Sequence, residues 1–280
     1  MIRLGINTMV WSGRFVEAQF PLLAQIRAWG YETVEAGIFD FDALDPVPLR
    51  RAAADAGLAV TVTSALPADL SLLSEDANTR EKTRHWLQRA VDKVAALGGT
   101  IFAGPFYHPV GALAGRSRTE IEWSRAVEEY CRLGEAIRAS GVRIAVEPLN
   151  RFETYFLNTA ADTLRFCREV DDSSIGILFD TFHANIEEAG ITDAIATLGR
   201  SMIHVHLSEN NRGVPGSGHI PFGDVAGALR SQGYEGYAVV ESFATSIPEI
   251  AAATAMWRDY AASPDEFAKQ AIANLRRVFS

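Results

Sequence analysis

The feature that most constrains the fold is an apolar stretch that ends in a carboxylate and then meets proline. It spans residues 142–148, and Glu147 stands directly before Pro148. Because proline lacks the backbone donor that a central strand needs, this pattern predicts a buried strand with Glu147 at its carboxyl end. Three later apolar runs also end in a polar side chain, at Asp180, His206 and Glu241.

The spacing of these four side chains predicts how their strands are arranged. They follow one another at intervals of 33, 26 and 35 residues, and one strand–helix unit of a (β/α)₈ barrel takes about 30 residues. We therefore expect four consecutive barrel strands whose carboxyl ends meet at one face. Carboxylate oxygens and an imidazole nitrogen at that face would suit a divalent cation. The predicted metal ligands are Glu147, Asp180, His206 and Glu241.

The whole chain alternates between strand-like and helix-like patterns. Apolar runs predict strands at 4–11, 33–38, 58–64, 100–104, 142–146, 175–180, 202–207 and 237–243. Helical periodicity and capping residues predict helices at 16–29, 49–56, 75–97, 118–140, after 159, at 186–198, at 225–232 and from 263 onward. No linker or low-complexity tract divides the 280 residues. We therefore expect an α/β fold in which residues 1–280 form a single (β/α)₈ TIM barrel.

Composition and charge exclude several classes of protein. The chain has no run of about 18 apolar residues and no basic, apolar leader, so we expect a cytoplasmic protein with no membrane partner. Its net charge of -9 and pI near 5.2 would repel a phosphate backbone, so nucleic-acid binding is not expected. Cys131 and Cys167 both fall in helical patterns, which indicates small buried side chains and no disulfide or thiolate metal site.

Three further polar side chains follow the strand ends by at most six residues. They are Glu153, His183 and Arg212. In loops that overhang the carboxyl face of a barrel, such groups would donate and accept hydrogen bonds with a hydroxylated ligand. We also expect His183 and Arg212 to add positive potential beside the metal.

Two features around the seventh strand have competing interpretations. His204 and His206 lie close together, and we expect His206, nearer the strand end, to bind the metal. His204 is expected to turn toward the helices as a hydrogen-bonded structural histidine. The loop at 208–223 contains four glycines and resembles a phosphate cradle, yet it lacks the strand–glycine–helix pattern and the Lys-Ser/Thr pair of such loops. We expect that loop to be mobile or unusually folded.

At these residues the chain resembles the ketose 3-epimerases, the D-tagatose and D-allulose (psicose) 3-epimerase group of the xylose isomerase-like TIM barrels. The resemblance covers nearly the whole chain and is strongest at VEPLNRFETYFLNT, FDTFHANIEE, HVHLSENNRGVPGSGHI and VVESF. It implies that the four predicted ligands bind Mn²⁺, with Mg²⁺ or Co²⁺ as substitutes. It implies that Glu147 and Glu241 are the acid/base pair and that the sugar oxygens contact Glu153, His183 and Arg212. It further implies a free ketose substrate and a homo-oligomer, either a dimer or a tetramer.

Epimerisation of carbon 3 explains why those residue types are needed. A proton beside a ketone is too weakly acidic for a carboxylate unless the developing cis-enediolate is stabilised, and a cation at O2 and O3 of the sugar would do so. Inversion also requires a proton to leave one face and another to arrive on the opposite face. Two glutamates can do this if one is ionised and the other protonated. Candidate substrates are D-tagatose, D-fructose or D-allulose, and L-ribulose.

Three other functions stay open at this point. An aldose–ketose or hydroxypyruvate-type isomerase shares the barrel, the metal and the enediolate, although His206 followed by Asn211-Arg212-Gly213 favours the epimerase. A phosphodiester-cleaving nuclease of the same superfamily would need several zinc ions, and the six histidines are too scattered to bind them. A non-catalytic sugar-binding protein has no need of paired carboxylates.

Overall fold

The eight predicted strands form one closed parallel barrel. In the computed structural model, which describes residues 1–279, the strands pair in chain order and β8 returns to pair with β1. They are β1 Arg3–Asn7, β2 Thr33–Gly37, β3 Ala59–Thr63, β4 Ile101–Gly104, β5 Arg143–Val146, β6 Ile175–Asp180, β7 Met202–Leu207 and β8 Tyr237–Val240. The predicted (β/α)₈ barrel is therefore confirmed.

The helices surround this barrel. They are α1 Pro21–Trp29, α2 Pro46–Asp55, α3 Ala77–Ala96, α4 Glu120–Ile137, α5 Ala160–Val170, α6 Thr181–Glu187, α7 Ile191–Leu198, α8 Phe222–Ser231, α9 Pro248–Thr254 and α10 Pro264–Phe279. Short 3₁₀ turns occur at Thr8–Val10, Glu17–Gln19, Arg138–Ser140 and Gly199–Ser201. None of the helices within residues 1–279 combines the length and the apolar composition that crossing a membrane requires.

Several predicted bounds differ from the structure, and local capping explains two of the differences. The helix expected at 186–198 is two helices, because α6 begins directly after β6. Asp180 starts it, since its side chain accepts a hydrogen bond of 2.7 Å from the backbone N–H of Phe182. The first strand ends at Asn7 rather than continuing to residue 11, because the Asn7 side chain accepts from Met9 N–H and opens a 3₁₀ turn.

Helix α9 was not predicted at all. It lies between β8 and α10 and begins with Pro248 at its first turn, a position that proline favours. Three consecutive alanines, 251–253, follow in the same helix, and alanine has the highest helix propensity. The signal was therefore present in the sequence, although the helix is only seven residues long.

The strands are buried on both faces, as the helical layer of a parallel barrel requires. Every residue of β2, β6 and β7 is buried. Side chains that face outward join a large apolar cluster with the helices, whereas Leu178 belongs to a second, small cluster formed by β4 to β7. Leu178 and Asp180 lie two positions apart in β6 and so share a face. The barrel interior therefore changes from apolar to polar toward the strand ends.

Glu122 ties together the loops that follow β4 and β5. It lies in the first turn of α4, where it forms a capping box with Thr119. Its carboxylate also accepts hydrogen bonds from Arg116 at 2.9 and 3.0 Å and from the Tyr155 hydroxyl at 2.9 Å. The hydrogen bonds from Arg116 are the main reason that the pKa of Glu122 falls to about 2. The ionised carboxylate thus stabilises the folded chain.

We expect Glu122→Gln to lower the free energy of unfolding at neutral pH by about 1–2 kcal/mol, because hydrogen bonds to a charged acceptor are lost. The folded pKa of Glu122 is depressed, so its contribution is complete above the pKa of the unfolded chain, near 4.5, and is lost as pH falls toward about 2. Denaturant titrations at pH 7, 5 and 3.5 should show the gap between wild type and variant narrowing only at the lowest pH. A gap that is constant with pH would contradict this role.

Candidate metal centre and active site

The four predicted ligands come together at the carboxyl face of the barrel. Glu147 follows β5, Asp180 ends β6, His206 lies in β7 and Glu241 follows β8. One potential ligand atom from each of these side chains lies within 4.8 Å of those from the other three, and all four residues are buried. The structure therefore brings the four side chains together, and their binding of a metal stays a prediction.

The imidazole of His206 shows how a cation fits this cluster. Its Nδ1 atom is buried and makes no hydrogen bond within residues 1–279. It lies 3.3 Å from Oε1 of Glu241 and 4.0 Å from Oδ2 of Asp180. A buried nitrogen without a hydrogen-bond partner, surrounded by carboxylate oxygens, is the donor set expected for a divalent metal ion.

Two carboxylates of this cluster have pKa values that are shifted in opposite directions. Burial raises the pKa of Asp180, but attraction to the Arg212 guanidinium leads the opposing causes, which outweigh burial and lower that pKa to about 2. Burial, followed by repulsion from Glu241, raises the pKa of Glu147 well above its ordinary value. In the cation-free centre these shifts favour an ionised Asp180 beside a protonated Glu147.

Arg212 bridges two of the proposed ligands. Its Nη1 donates to Oδ2 of Asp180 at 2.8 Å and to Oε2 of Glu241 at 2.7 Å. The guanidinium also lies over the Phe182 ring, 4.1 Å from its centroid. Burial lowers the pKa of Arg212, but the two carboxylates more than compensate, so the side chain remains charged.

The backbone of Arg212 is strained in order to aim that side chain. Its φ angle is 60°, in the left-handed region that residues other than glycine seldom adopt. Two hydrogen bonds hold it there: the Ser242 hydroxyl donates to the Arg212 carbonyl, and the Arg212 N–H donates to the Glu209 carbonyl. Such strain is typical of functional positions.

His183 is a neutral hydrogen-bond donor. The backbone N–H of Asn150 donates to its Nδ1 at 3.1 Å, which favours the tautomer with the ring hydrogen on Nε2. Burial is the main reason that the pKa of His183 is lowered. Its Nε2 faces Oε1 of Glu147 at 3.6 Å and Nη2 of Arg212 at 3.2 Å. Positive potential from His183 therefore comes from an N–H group, whereas Arg212 carries a full positive charge.

Asn150 is a site residue that the sequence reasoning missed. Besides its contact with His183, its side-chain amide donates to Oε1 of Glu153 at 2.7 Å. One asparagine therefore orients two of the three predicted sugar contacts. The signal was its position in the same strand-end segment as Glu147, three residues further along the chain.

Both histidines of β7 point into the barrel and contact Glu35, another residue that was missed. The Nε2 atoms of His204 and His206 lie 2.6 and 2.8 Å from the two carboxylate oxygens of Glu35. The expectation that the histidines face opposite sides is wrong, because residues two apart on a strand share a face. His204 is nevertheless hydrogen-bonded and fully buried, as predicted. A glutamate inside the buried strand β2 was the available signal for Glu35.

The glycine-rich loop at 208–223 is folded around a carboxylate of its own. Glu209 is fully buried and accepts hydrogen bonds of 2.9–3.0 Å from the backbone N–H groups of Asn210, Gly216 and Ile220. These amides are the groups that a phosphate cradle would need. Because Glu209 occupies them, the geometry disfavours a phosphate-binding role for this loop.

A cavity of about 290 Å³ opens above the cluster. Its polar side chains are Glu147, Glu153, His183, Arg212 and Glu241, together with Thr63, Ser64 and Thr254. The remaining side chains are mostly apolar and come from the loops after β1 to β5 and after β8 and from α9; they include Met9, Phe39, Val110, Leu149, Phe243 and Ile250. The cavity thus has one polar end, at the cluster, and one apolar end.

The comparisons with known proteins agree with this fold. Residues 23–277 match the family described as xylose isomerase-like TIM barrel, so the chain belongs to that family. It is 32% identical to a probable ketose 3-epimerase of Synechocystis sp., over 99% of this chain and 97% of the relative. It is 30% identical to a D-psicose 3-epimerase of Agrobacterium fabrum, over 96% and 94% of the two chains. Within the family, the chain is therefore an isomerase of the ketose 3-epimerase group.

A solved structure of an L-ribulose 3-epimerase superposes with a TM-score of 0.94. The two chains are 32% identical, and the superposition covers 100% of this chain and 95% of the other. The barrel and the loops around its carboxyl face thus follow the architecture of an experimentally determined epimerase along the whole length.

We expect the protein to bind about one divalent cation per chain and Asp180→Asn to weaken that binding by at least about tenfold. Asparagine still caps α6 but removes an ionised ligand. Isothermal titration with Mn²⁺ and elemental analysis after dialysis measure the change. Glu153→Gln is the matched control, because Glu153 lines the same cavity but lies outside the four-residue cluster. Loss of metal from the control, but not from Asp180→Asn, would contradict the assignment.

Proposed function

We propose that this protein inverts carbon 3 of free ketoses by moving protons between the sugar and two glutamates. The observation that carries the proposal is the pair of buried carboxylates, Glu147 and Glu241, which line one cavity and have different partners. Glu241 accepts a charge-assisted hydrogen bond from Arg212 at 2.7 Å. Glu147 has a raised pKa and holds a proton. One base and one acid thus face the same space.

The reaction needs one proton removed and one delivered. In one direction, ionised Glu241 takes the proton from C3 and leaves the electron pair on an enediolate, while protonated Glu147 returns a proton to the opposite face. In the reverse direction the two roles exchange. A divalent cation bound by Glu147, Asp180, His206 and Glu241 supplies positive charge that offsets the negative charge developing on the sugar oxygens.

Three further side chains would orient the sugar. Neutral His183 presents its Nε2–H toward the cluster, and Arg212 presents Nη2, so both can donate to sugar oxygens. Glu153, held by Asn150, can accept from a hydroxyl. Because none of these groups changes its charge in the reaction, their role is to hold the substrate in a reactive geometry.

The cavity favours a free ketose over a ketose phosphate. Arg212 is the one permanently charged cation among its lining residues in the described chain, and its Nη1 is already bonded to two carboxylates. The Synechocystis and Agrobacterium relatives are named as ketose and D-psicose epimerases, which supports D-fructose or D-allulose, D-tagatose and L-ribulose as substrates. Carboxylates combined with one imidazole suit Mn²⁺, with Mg²⁺ or Co²⁺ as substitutes. Resemblance to the epimerase group further suggests a homo-oligomer.

Deuterium exchange separates the epimerase from the other reactions. In D₂O, we expect label at C3 of both the product and the recovered ketose and none at C1, measured by NMR. Glu147→Gln and Glu241→Gln should each lower epimerisation by at least about 10²-fold, because glutamine keeps the shape but not the acid/base function. A variant lacking only the acid should still exchange the C3 proton of one epimer, since the remaining base can remove and return it.

The outcomes of that experiment distinguish the proposed epimerase from an aldose–ketose isomerase and from a sugar-binding protein. Label at C1 would indicate an aldose–ketose isomerase and contradict the proposal. Full inversion in both single variants would rule out the two-glutamate mechanism. Binding of ketose without any exchange in the metal-loaded wild type would instead indicate a binding protein.

We expect Arg212→Lys and His183→Asn to lower kcat/KM by about tenfold or more while the metal content stays near one per chain. Lysine keeps the charge but not the planar fork, and asparagine does not reproduce the Nε2–H donor. Steady-state kinetics with elemental analysis separate the two effects. Arg151→Lys is the matched control, because Arg151 pairs with Glu187 outside the cavity lining. Loss of metal in Arg212→Lys would show that Arg212 supports the metal rather than the substrate.

A further inference from the structure

Glu35 is a fully buried carboxylate that sits beneath the proposed metal ligands and accepts hydrogen bonds from three other strands. His204 and His206 of β7 contact its two oxygens at 2.6 and 2.8 Å. Asn7, at the end of β1, donates to Oε1 at 2.9 Å, and Thr61 of β3 donates to Oε2 at 3.1 Å. Each of the two carboxylate oxygens of Glu35 therefore accepts two hydrogen bonds.

The trio formed by Glu35, His204 and His206 is a hydrogen-bonded group rather than a second metal site. Ligand atoms bound to one tetrahedral ion at about 2.0–2.1 Å lie roughly 3.3 Å apart. The contacts of 2.6 and 2.8 Å are shorter than that and match charge-assisted hydrogen bonds. The amide of Asn7 and the hydroxyl of Thr61 also occupy positions that a cation would need.

These contacts fix the tautomer of His206. Ionised Glu35 is an acceptor only, so the Nε2 atom facing it must carry the ring hydrogen. The lone pair is then on Nδ1, which is the atom directed at Asp180 and Glu241 and lacks a hydrogen bond within residues 1–279. Both the identity of the ligand atom and its direction thus depend on the same carboxylate.

We propose that Glu35 is a positioning residue of the metal centre, which holds the His206 ring in the tautomer and orientation that direct Nδ1 at the cation. The inference rests on the ligand set of the proposed function. His204 contributes to this positioning, because it binds Oε2 of Glu35 and so leaves Oε1 to accept from His206. Carboxylates that orient a metal-binding histidine in this way typically change metal affinity by about 10–100-fold when they are mutated.

Glu35→Gln tests the proposal, because glutamine has the same shape but cannot accept with both of its side-chain heteroatoms. Its NH₂ group would oppose one of the two Nε2–H groups and favour the tautomer with hydrogen on Nδ1. We expect the Kd for Mn²⁺ to rise by about 10–100-fold. At saturating Mn²⁺, electron spin-echo modulation from the coordinated imidazole nitrogen should be reduced relative to wild type.

Glu129→Gln is the matched control. Glu129 is a similarly buried carboxylate in an ion pair with Arg80, but it lies in α4, outside the barrel. We expect the control to lower stability while leaving both the Kd and the nitrogen signal of the wild type unchanged. An equal loss of metal affinity in both variants would show that Glu35 acts only through global stability and would overturn the proposal.

A measurement on the wild type covers the case in which Glu35→Gln does not fold. In Mg²⁺-loaded protein with ¹⁵N-labelled histidine, long-range ¹H–¹⁵N spectra should show hydrogen on Nε2 of His206 and none on Nδ1. Hydrogen on Nδ1, or a Glu35→Gln variant with wild-type Kd and nitrogen signal, would overturn the role proposed for Glu35 but not the metal site. A wild type that binds no cation would overturn the metal site itself and with it this inference.

Discussion

Negative charge buried at one end of the barrel is the constraint on which the active-site architecture depends. Four carboxylates, from Glu35, Glu147, Asp180 and Glu241, lie where water cannot solvate them, and an unpaired buried charge costs several kcal/mol. Arg212 pairs with two of them, the histidines of β7 bind the third, and the fourth keeps its proton. The single positive charge of Arg212 cannot neutralise all of these carboxylates. That imbalance is why the centre fits a divalent cation and why, in the proposed reaction, a base and an acid can stand side by side.

The groups that form the site also hold the local backbone, which makes the site rigid. Asp180 caps α6 and pairs with Arg212, so the helix and the cluster share one side chain. Arg212 keeps its left-handed backbone because Ser242 and the loop around Glu209 hold it there. Preorganised groups of this kind need little reorganisation when charge develops on a substrate. The same coupling means that mutations in these loops affect folding and chemistry together.

Sequence reasoning found those site residues that have a positional signature. The four clustered side chains terminate apolar runs, and the barrel period placed them on one face. Glu35 lacks such a signature, because it lies within a strand and its histidine partners are about 170 residues away in sequence. The tautomer of His183 was equally out of reach, since it depends on a backbone N–H of Asn150 donated across two loops. Residue types and spacing predict which groups meet, whereas hydrogen-bond direction requires the three-dimensional contacts.

The closed barrel also divides the cavity into two halves of different character. The proposed ligands all come from β5 to β8, whereas the opposite wall is built by loops after β1 to β4, including Met9, Phe39 and Val110. Apart from Glu35 and its two donors, Asn7 and Thr61, the first half of the chain contributes shape rather than reactive groups. Substitutions in those early loops would therefore alter the shape of the cavity while the clustered side chains of the second half stay in place.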